Sequence, residues 1–348
     1  MSLDRAFELF WHPVCTVDEL AAGGGRPLPV TLLGRELAVA DLGGGRVAAM
    51  ADRCLHRSTR LSVGWVEDGA IRCAYHGWRW AGDGRCVEIP SLPDGPIPPR
   101  ACIPAYDAEL AYGLVWVRLD PSAGTSIPAC PAWDDITMKV VAGAPYTWPT
   151  AAGRRVENFV DLAHFAWVHD GTLGRRDQPV PPLPTIARAD GELRFSFDPP
   201  EMETEDVALF GHSRYRVPMP CTVDIEFHLA TGARRHLWMT ASPIDMASCR
   251  SFWLVARDDG HDEDDDAHLA FQAVVLEEDL PVVTNQVPPE LRLDARDEGF
   301  ELSVRTDRVS IEYRRWLREL SHAAASTEPG PAVAALLAGA DDLAAPTP

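Results

Sequence analysis

Short apolar runs alternate with clusters of Gly and Pro through the first third of the chain. Two such runs are LPVTLLGRELAVADL at residues 28–42 and LAYGLVWVRLD at residues 110–120. Apolar runs of this length, bounded by turn-forming residues, predict short antiparallel strands. The glycines at 43–45 and the Gly-Asp-Gly sequence at 82–84 predict the turns of hairpins. We therefore expect an all-β domain at residues 1–130.

Helical spacing enters the pattern only after a turn-rich stretch, PSAGTSIPACPAWDD at residues 121–135, which marks a domain boundary. The spacing of apolar residues predicts helices over residues 157–169, 265–286 and 311–320. Pro281 should kink or restart the second of these helices. Strand-like runs lie between the first two helices: ELRFSFD, CTVDIEFHLA, RRHLWMTASPI and SFWLVAR.

The second part of the chain therefore predicts a different architecture from the first. We expect residues 131–322 to form an α+β domain with an antiparallel sheet and helices. An Ala- and Pro-rich tail that we expect to be poorly ordered follows at residues 323–348. A chain of 348 residues with 46% hydrophobic composition is long enough to bury the cores of two such domains.

The net charge of the chain limits which partners it can bind, and its N-terminal sequence indicates where in the cell it is found. The chain carries 32 Lys+Arg against 52 Asp+Glu, a net charge of -20, which argues against nucleic acid or an anionic membrane as the main partner. No signal peptide or membrane span is evident, so we expect a cytoplasmic protein. Eight cysteines in so long a chain are not a disulfide framework. In a reducing compartment, clustered Cys and His more often bind metal.

Such a cluster occurs in CLHRSTRLSVGWVEDGAIRCAYHGW at residues 54–78, where a Cys-x-His pair precedes a Cys-x-x-His pair. Thiolates and imidazoles together suggest zinc or an iron–sulfur centre. A zinc finger usually takes two ligands of one type from a hairpin, whereas each loop here offers one of each. That arrangement suits a two-iron cluster in which one iron takes both cysteines and the other takes both histidines. Structural zinc is the alternative.

The same stretch resembles a Rieske domain beyond its ligands. The matching residues are Gly69, Tyr75-His76-Gly77-Trp78, Gly84-Arg85-Cys86 and Ile89-Pro90. Leu55 stands where that family usually has Pro. The resemblance implies a [2Fe-2S] cluster whose first iron is bound by Cys54 and Cys73 and whose second is bound by His56 and His76. The cysteines that form a disulfide in respiratory Rieske proteins have no counterparts here, which disfavours a respiratory role.

A second group of polar residues interrupts the apolar segment ENFVDLAHFAWVHD: Asn158, Asp161, His164 and His169. Two histidines and one carboxylate form the facial triad of many nonhaem iron sites. On an ideal helix His164 and His169 would point about 140° apart, so they can share a metal only if the helix ends or bulges between them. Taken alone, the segment is explained more simply by histidines packed in a core.

The pattern Asn-x-x-Asp-x-x-His-x4-His resembles the mononuclear iron motif of Rieske nonhaem iron oxygenases. The order of the two motifs is similar to that of the vanillate demethylase, dicamba monooxygenase and phthalate dioxygenase group. The resemblance implies a helix-grip, START-like catalytic domain in which His164 and His169 bind the iron and Asn158 and Asp161 are catalytic. In the family this aspartate links an iron-ligating histidine to a cluster histidine of the neighbouring subunit, which implies a homotrimer.

The third iron ligand must come from elsewhere, and LEEDLPVVTNQ at residues 276–286 supplies the best candidate. The same group of oxygenases has a Glu-Asp pair followed by Glu-x-Gln. Asp279 and Gln286 match that pattern, whereas Thr284 replaces the second Glu. We predict Asp279 as the ligand, with Glu278 as the alternative. The less favoured alternative is that Asp279 is a surface carboxylate on an acidic helix.

Together, the motifs imply the oxygenase component of a multicomponent system that receives electrons from NAD(P)H through a separate ferredoxin or flavin reductase. We expect it to use O2 to hydroxylate or oxidatively demethylate a small aromatic substrate. Aromatic-ring cis-dihydroxylation is the alternative within the family. In a different class, the chain would be a Rieske electron carrier without oxygenase activity.

Charge around the first motif suggests where such a partner could dock. Residues 52–85 contain six arginines and four acids, a local positive excess on a strongly negative protein. An acidic ferredoxin could be steered to this surface. Ordinary exposed arginines on hairpins would explain the same count equally well.

Overall fold

The chain folds into two compact units. The computed structural model describes residues 3–197, 212–229, 231–293, 301–339 and 341–343. The N-terminal unit spans Phe7–Ile127, and the C-terminal unit comprises Met1–Ala6 and Pro128–Pro348. Within the described ranges, no helix is both long enough and apolar enough to cross a membrane.

The regular structure of the N-terminal unit consists mainly of antiparallel strands. In chain order they are β1 (His12–Thr16), β2 (Leu28–Leu32), β3 (Arg35–Gly43), β4 (Arg46–Ala51), β5 (Trp65–Glu67), β6 (Ala70–Arg72), β7 (Arg79–Ala81), β8 (Cys86–Glu88), β9 (Ala105–Ala111) and β10 (Leu114–Arg118). One sheet has the order β1-β10-β9-β4-β3-β2, and the other has the order β5-β6-β7-β8. The helical segments at this end of the chain are α1 (Leu3–Phe7), α2 (Val17–Ala22) and the 3-10 turns Leu61–Val63 and Pro121–Ala123.

Strand β3 has a continuous apolar run because both of its faces are buried. Successive side chains of a strand point to opposite faces of the sheet. Leu37 and Val39 accordingly pack in one hydrophobic core, and Ala38 and Ala40 pack in another. The second core also contains both cysteines of the first motif. The thiols therefore lie in apolar surroundings against the larger sheet.

Glycine sets the turns of the predicted hairpins. Gly44 and Gly45 have φ values of 65° and 74° between β3 and β4, which is the backbone of a type I′ turn. The Gly-Asp-Gly sequence joins β7 to β8. At Gly84 an added Cβ would lie 2.1 Å from the carbonyl oxygen of Ile103, so no side chain fits there. Both predicted hairpins are confirmed.

A nine-stranded antiparallel sheet dominates the C-terminal unit. Its strands are β11 (Lys139–Ala142), β12 (Tyr146–Trp148), β13 (Ile186–Ala189), β14 (Glu192–Phe197), β15 (Ser213–Pro218), β16 (Thr222–His228), β17 (Arg234–Pro243), β18 (Cys249–Arg257) and β19 (Asp341–Leu343). They follow the order β11-β18-β17-β16-β15-β14-β13-β19, and β12 also pairs with β18. The helices are α3 (Pro131–Asp134), α4 (Ala152–Val160), α5 (Phe165–Val168), α6 (Asp265–Val283), α7 (Arg308–Ala324) and α8 (Pro329–Leu337), with a 3-10 turn at Arg305–Asp307.

Helix α7 packs against the sheet through an apolar face with polar anchors. The buried Tyr313 donates its hydroxyl to the carbonyl of Pro220 at 2.7 Å. From β13, the guanidinium of Arg188 lies 5.0 Å from the ring centre of Trp316 and pairs with Glu319 at 2.7 Å. The predicted α+β class is confirmed, as are the four predicted strands and the helix over residues 311–320.

Two sequence expectations differ from the structure. Helix α6 runs unbroken to Val283 because Pro281 lies in its last turn, where little helix remains to disrupt. Residues 323–339, expected to be poorly ordered, complete α7 and form the whole of α8. The Ala- and Leu-rich α8 packs on α7 and buries Val333, which explains its order. Residues 340 and 344–348 lie outside the described ranges.

Candidate metal centres

The first Cys/His motif forms two loops with the same backbone pattern, at residues 54–59 and 73–78. In each loop the amide of the fifth residue donates to the carbonyl of the cysteine. The amide of the cysteine donates to the carbonyl of the sixth residue, and all four distances lie between 2.8 and 3.0 Å. The fifth residue has positive φ in both loops, 58° at Ser58 and 72° at Gly77. The two loops therefore hold their cysteines in the same backbone arrangement, whereas the histidine is the third residue of the first loop and the fourth of the second.

The cysteines lie inside these loops and the histidines lie towards solvent. Cys54 and Cys73 are almost fully buried in the apolar core, whereas His56 is half-buried and His76 is exposed. The two imidazole ring centres are 4.5 Å apart, and His56 stacks on Trp78 at 4.7 Å. The structure thus brings together all four residues that the sequence predicted.

The chemistry of this donor set fits an iron–sulfur cluster. Burial raises the pKa of the Cys54 thiol to about 11, helped by the adjacent Cys73, although the backbone of His56 opposes the shift. Two neighbouring thiolates in apolar surroundings need a cation to become stable. In addition, the buried Nδ1 of His56 has no hydrogen-bond partner among the described residues. A bound cluster would satisfy both requirements.

The two histidines of the second motif come close together because the helix that carries the motif is interrupted between residues 160 and 165. Helix α4 ends at Val160, and Asp161 adopts an extended ψ of 117° while its Oδ1 accepts a hydrogen bond from the amide of Ala163 at 2.8 Å. The four-residue α5 then begins just after His164 and ends just before His169. The single helix predicted over residues 157–169 is therefore wrong. This break is the condition under which the two histidines can share a metal.

Helix α6 brings Asp279 to the two histidines. Its Oδ1 lies 3.2 Å from Nε2 of His169 and 3.5 Å from Nε2 of His164. One ligand atom from each of the three residues can be chosen so that all lie within 4.8 Å of one another. Two imidazoles and one carboxylate in such a cluster form the donor set of a nonhaem iron site.

Glu278, the alternative ligand, faces a different atom. Its Oε2 lies 2.7 Å from Nδ1 of His169, on the side of the ring opposite Nε2. Its Oε1 accepts a hydrogen bond from the hydroxyl of Thr172 at 2.7 Å. A carboxylate on the second nitrogen of a metal-ligating histidine fixes the orientation and tautomer of that ring. The two neighbouring acids therefore occupy different positions relative to His169.

The two predicted catalytic residues also lie at this cluster. The Nδ2 of Asn158 donates to Oδ1 of Asp279 at 3.0 Å and lies 3.5 Å from Nε2 of His164. The Oδ2 of Asp161 lies 3.5 Å from Nδ1 of His164, which is too long for a well-formed hydrogen bond. That Nδ1 has no hydrogen-bond partner within the described ranges, and the Asp161 side chain is 36% exposed.

The electrostatics of the cluster favour a cation. Burial alone would raise the pKa of Asp279, but the hydrogen bond with His169 and the charge of Arg155 outweigh it and lower the pKa. Burial would likewise lower the pKa of His169, but Asp279 and Glu278 outweigh it and raise the pKa. An ionised carboxylate and an imidazole that favours positive charge, side by side, fit a metal ion held between the three side chains.

A cavity of about 750 Å³ adjoins the cluster within the C-terminal unit. Its walls are mostly apolar and include these aromatic side chains: Phe159, Phe165, Tyr215, Phe227 and Phe271. Polar side chains in the lining include Gln272 on α6 and His236 on β17. Gln272 is largely buried in the wall of the cavity, and its side chain makes no hydrogen bond within the described part of the chain. Sequence patterns did not single out Gln272, because nothing local separates it from other helical polar residues.

Comparison with known families agrees with both halves of this description. Residues 10–106 match the Rieske [2Fe-2S] domain family, and residues 148–323 match the vanillate O-demethylase oxygenase C-terminal domain family. The chain belongs to the Rieske nonhaem iron oxygenases, as the resemblance of its motifs implied.

Individual relatives cover nearly the whole chain. Methylxanthine N3-demethylase NdmB of Pseudomonas putida is 44% identical over 323 residues, which span 90% of this chain and 89% of the relative. Methylxanthine N1-demethylase NdmA of the same species is 41% identical, with the same coverage. The solved structure of NdmA with caffeine matches 99% of this chain and 100% of its own, at 38% identity and a TM-score of 0.91. Dicamba monooxygenase bound to dicamba, at 22% identity and a TM-score of 0.77, shares the fold.

These findings confirm the predicted class of enzyme. The chain is the oxygenase component of a Rieske system and uses O2 to hydroxylate or demethylate a small substrate. Its cofactors are a [2Fe-2S] cluster and a mononuclear iron, and electrons from NAD(P)H arrive through a separate reductase or ferredoxin.

Proposed function

We propose that this chain removes an N-methyl group from a small, flat heteroaromatic compound of the methylxanthine type. The observation that carries the proposal is the largely apolar cavity that adjoins the cluster of His164, His169 and Asp279. Identity of 44% to a methylxanthine N3-demethylase along 90% of the chain supports the same chemistry.

The cavity suits a ring that is apolar on its faces and polar at its edge. Aromatic side chains line it, and aromatic rings pair well with other flat rings. The Gln272 amide offers both a donor and an acceptor for a ring nitrogen or carbonyl. A substrate that hydrogen-bonds to this amide is favoured over one that covers it without pairing, because covering it would leave a buried polar group unsatisfied.

The proposal assigns the metals to the residues predicted from sequence. His164, His169 and Asp279 hold the mononuclear iron, whereas Cys54 and Cys73 hold one iron of the cluster and His56 and His76 hold the other. When bound, the cluster delivers electrons singly and the mononuclear iron activates oxygen. Glu278 fixes the ring of His169 so that Nε2 keeps its lone pair for the metal. Asn158 steadies Oδ1 of Asp279.

The overall reaction balances with one O2, two electrons and two protons. One oxygen atom replaces a hydrogen of the methyl group as a hydroxyl, and the other leaves as water. The resulting N-hydroxymethyl group loses formaldehyde and leaves N–H on the ring. The apolar walls of the cavity hold the ring in one orientation, which decides which methyl group faces the metal ligands.

We further propose that the protein works as a homotrimer in the cytoplasm. The half-buried Asp161, which lies beside His164, would accept a hydrogen bond from a cluster histidine of the neighbouring subunit. None of the eight cysteines, all of them within the described ranges, forms a disulfide, which agrees with a reducing compartment. The native mass, together with slower oxidation of the reduced cluster in Asp161→Asn, tests the subunit link. A monomer with unchanged electron transfer would contradict it.

Docking of the reductase is proposed to involve Arg57. Four of the six arginines near the first motif pair with acids: Arg60 with Glu36, Arg72 with Glu88, Arg79 with Asp68 and Arg85 with Asp83. Arg53 donates to Ser58. The exposed Arg57, next to His56, makes no hydrogen bond or ion pair in the described part of the chain, so its charge remains available to an acidic partner.

Arg57→Glu should slow reduction of the cluster by an acidic ferredoxin about 10-fold at low salt, because rim charges mainly change association rates. Arg60→Glu serves as the matched control and should have a smaller effect, since Glu36 already offsets the charge of Arg60. Stopped-flow reduction at two ionic strengths measures both. Equal rates in the two variants would remove Arg57 from the proposal.

A single-turnover assay tests the reaction without the natural reductase. Fully reduced protein is mixed with O2 and a panel of N-methylated xanthines, with unmethylated xanthine as the control. The proposal predicts formaldehyde and one demethylated product in equal amounts, and no formaldehyde from the control. A cis-diol would instead establish ring dihydroxylation. No oxygen uptake with any substrate, from protein that holds only the cluster irons, would establish an electron carrier.

A further inference from the structure

Arg155 is a fully buried charged side chain beside the cluster of His164, His169 and Asp279, with an exposure of 0%. It belongs to α4. Its guanidinium carbon lies 4.3 Å from the ring centres of both Trp148 and Phe159, and 5.6 Å from that of Tyr146. A buried guanidinium is costly unless charged or polar partners compensate it. The three rings and a nearby carboxylate supply that compensation.

The polar contacts of Arg155 lead to Asp279. Its Nε donates to the hydroxyl of Tyr146 at 2.9 Å. Its Nη1 donates to Oδ1 of Asn158 and lies 3.4 Å from Oδ2 of Asp279. Nη2 has no hydrogen-bond partner among the described residues. Nη1 of Arg155 thus contacts both Asn158 and Asp279. Asn158 in turn donates a hydrogen bond from its Nδ2 to Oδ1 of Asp279.

The two oxygens of Asp279 are divided between two sets of partners. Oδ1 faces Nε2 of both histidines and accepts from Asn158. Oδ2 faces Arg155. If Asp279 rotated to present both oxygens to a metal, Oδ2 would leave the guanidinium and a buried positive charge would lose its only carboxylate partner in the described ranges. That loss opposes the rotation.

We propose that Arg155 is a positioning residue that makes Asp279 bind the metal through one oxygen only. Oδ1 then faces the two histidines, and the guanidinium retains Oδ2. The inference rests on the ligand assignment of the proposed function. The aromatic rings keep the guanidinium plane fixed, and Asn158 adds a second link to the same carboxylate. Lysine at this position would keep the charge but lose the planar fork that serves Tyr146, Asn158 and Asp279 together.

The test compares Arg155→Lys with Arg154→Lys in the full chain with its cluster intact. Arg154 is the matched control because it precedes Arg155 on the same helix and is equally buried, but it binds Glu301 at 2.7 Å and the carbonyl of Glu290 at 3.1 Å. After the mononuclear iron is removed by chelation, Fe(II) is titrated back. The ferrous site is then probed by electron paramagnetic resonance with nitric oxide, with the cluster oxidised and silent.

Arg155→Lys should weaken Fe(II) binding at least about 10-fold and change or broaden the nitrosyl signal, because a freed carboxylate adopts more than one orientation. Arg154→Lys should keep wild-type affinity and signal. Wild-type affinity and signal in a folded Arg155→Lys variant would overturn the proposal. If wild-type protein binds no iron that His164→Ala loses, the ligand assignment itself has failed, which is a different result.

A second measurement decides the matter even if Arg155→Lys does not fold. A crystal structure of iron-loaded wild-type protein should have Oδ1 of Asp279 alone bonded to the metal and Oδ2 in contact with Arg155. Both oxygens at bonding distance from the iron would overturn the proposal.

Discussion

The two candidate metal centres are built by opposite means. In the N-terminal unit all four donors come from residues 54–76, on two loops with the same hydrogen-bond pattern. In the C-terminal unit, Asp279 lies 121 positions beyond Asn158, and a break between α4 and α5 is needed before the histidines converge. The first centre therefore depends on local turns, whereas the second depends on how α6 packs. Substitutions should reveal this difference.

The largest effect is expected from a substitution at the second centre, which should largely abolish oxygen consumption but leave reduction of the first centre unchanged. Asp279→Ala should lower substrate-dependent oxygen consumption at least about 100-fold, because one of the three proposed iron ligands is lost. Reduction of the cluster by dithionite should stay at the wild-type rate, since its ligands belong to the other unit. Oxygen-electrode and stopped-flow measurements report the two quantities. A slower reduction of the cluster in this variant would argue against independent centres.

A smaller loss should follow when only the support of a ligand is changed. Glu278→Gln keeps the size of the side chain but weakens the hydrogen bond to Nδ1 of His169. Fe(II) affinity should fall about 10- to 100-fold, the usual range for such partners. Glu277→Gln, on the same helix, is the control and should bind iron as wild type does. An equal loss in both variants would mean that the effect comes from charge alone.

Acid should weaken the fold of the N-terminal unit through a histidine that is not a ligand. Burial lowers the pKa of His12 to about 4, although its hydrogen bond with the carbonyl of Phe7 opposes the shift. Between pH 6.5 and 4 the unfolded chain therefore binds the extra proton. Stability is retained above about pH 6.5 and falls as the pH decreases towards 4.

Between pH 7 and pH 5 the wild type should lose about 2 kcal/mol more of its free energy of unfolding than His12→Gln does. Chemical denaturation, followed by the cluster absorbance, measures the difference at the two pH values. Since the cluster histidines are present in both proteins, their own titration cancels. Parallel losses in the two proteins would contradict the effect of burial on His12.

The two cluster loops can be compared directly at their equivalent positive-φ positions. Gly77→Ala should destabilise its loop by about 1–2 kcal/mol, because a Cβ is unfavourable at φ 72° and would meet Pro90 at 3.1 Å. Ser58→Gly should stabilise the other loop by up to about 1 kcal/mol. Thermal bleaching of the cluster absorbance ranks the variants. If Ser58→Gly bleaches earlier than wild type, the loops are not equivalent.

That the four donors of the first candidate centre would lie together was predictable, because they are close in sequence and their spacing matches a family. The histidines of the second centre were also predictable, together with the condition that their helix must break. The choice between Asp279 and Glu278 was not, because neighbours on a helix point about 100° apart and only packing decides which one faces the histidines.

Arg155 escaped the sequence analysis for a related reason. An arginine in a helix is normally exposed, and the pattern GRRVENF gives no sign that rings from β12 will surround it. Order in α8 was missed because its burial against α7 depends on tertiary packing rather than on local propensity. In each case the missing information was the arrangement of distant elements.

Iron content and the visible spectrum of anaerobically purified protein, measured for wild type and His164→Ala, test the two-centre account most directly. We predict about three irons per wild-type chain with a red-brown cluster spectrum, and about two irons with the same spectrum in the variant. Two irons in both proteins would contradict the second centre. Zinc without colour would contradict both.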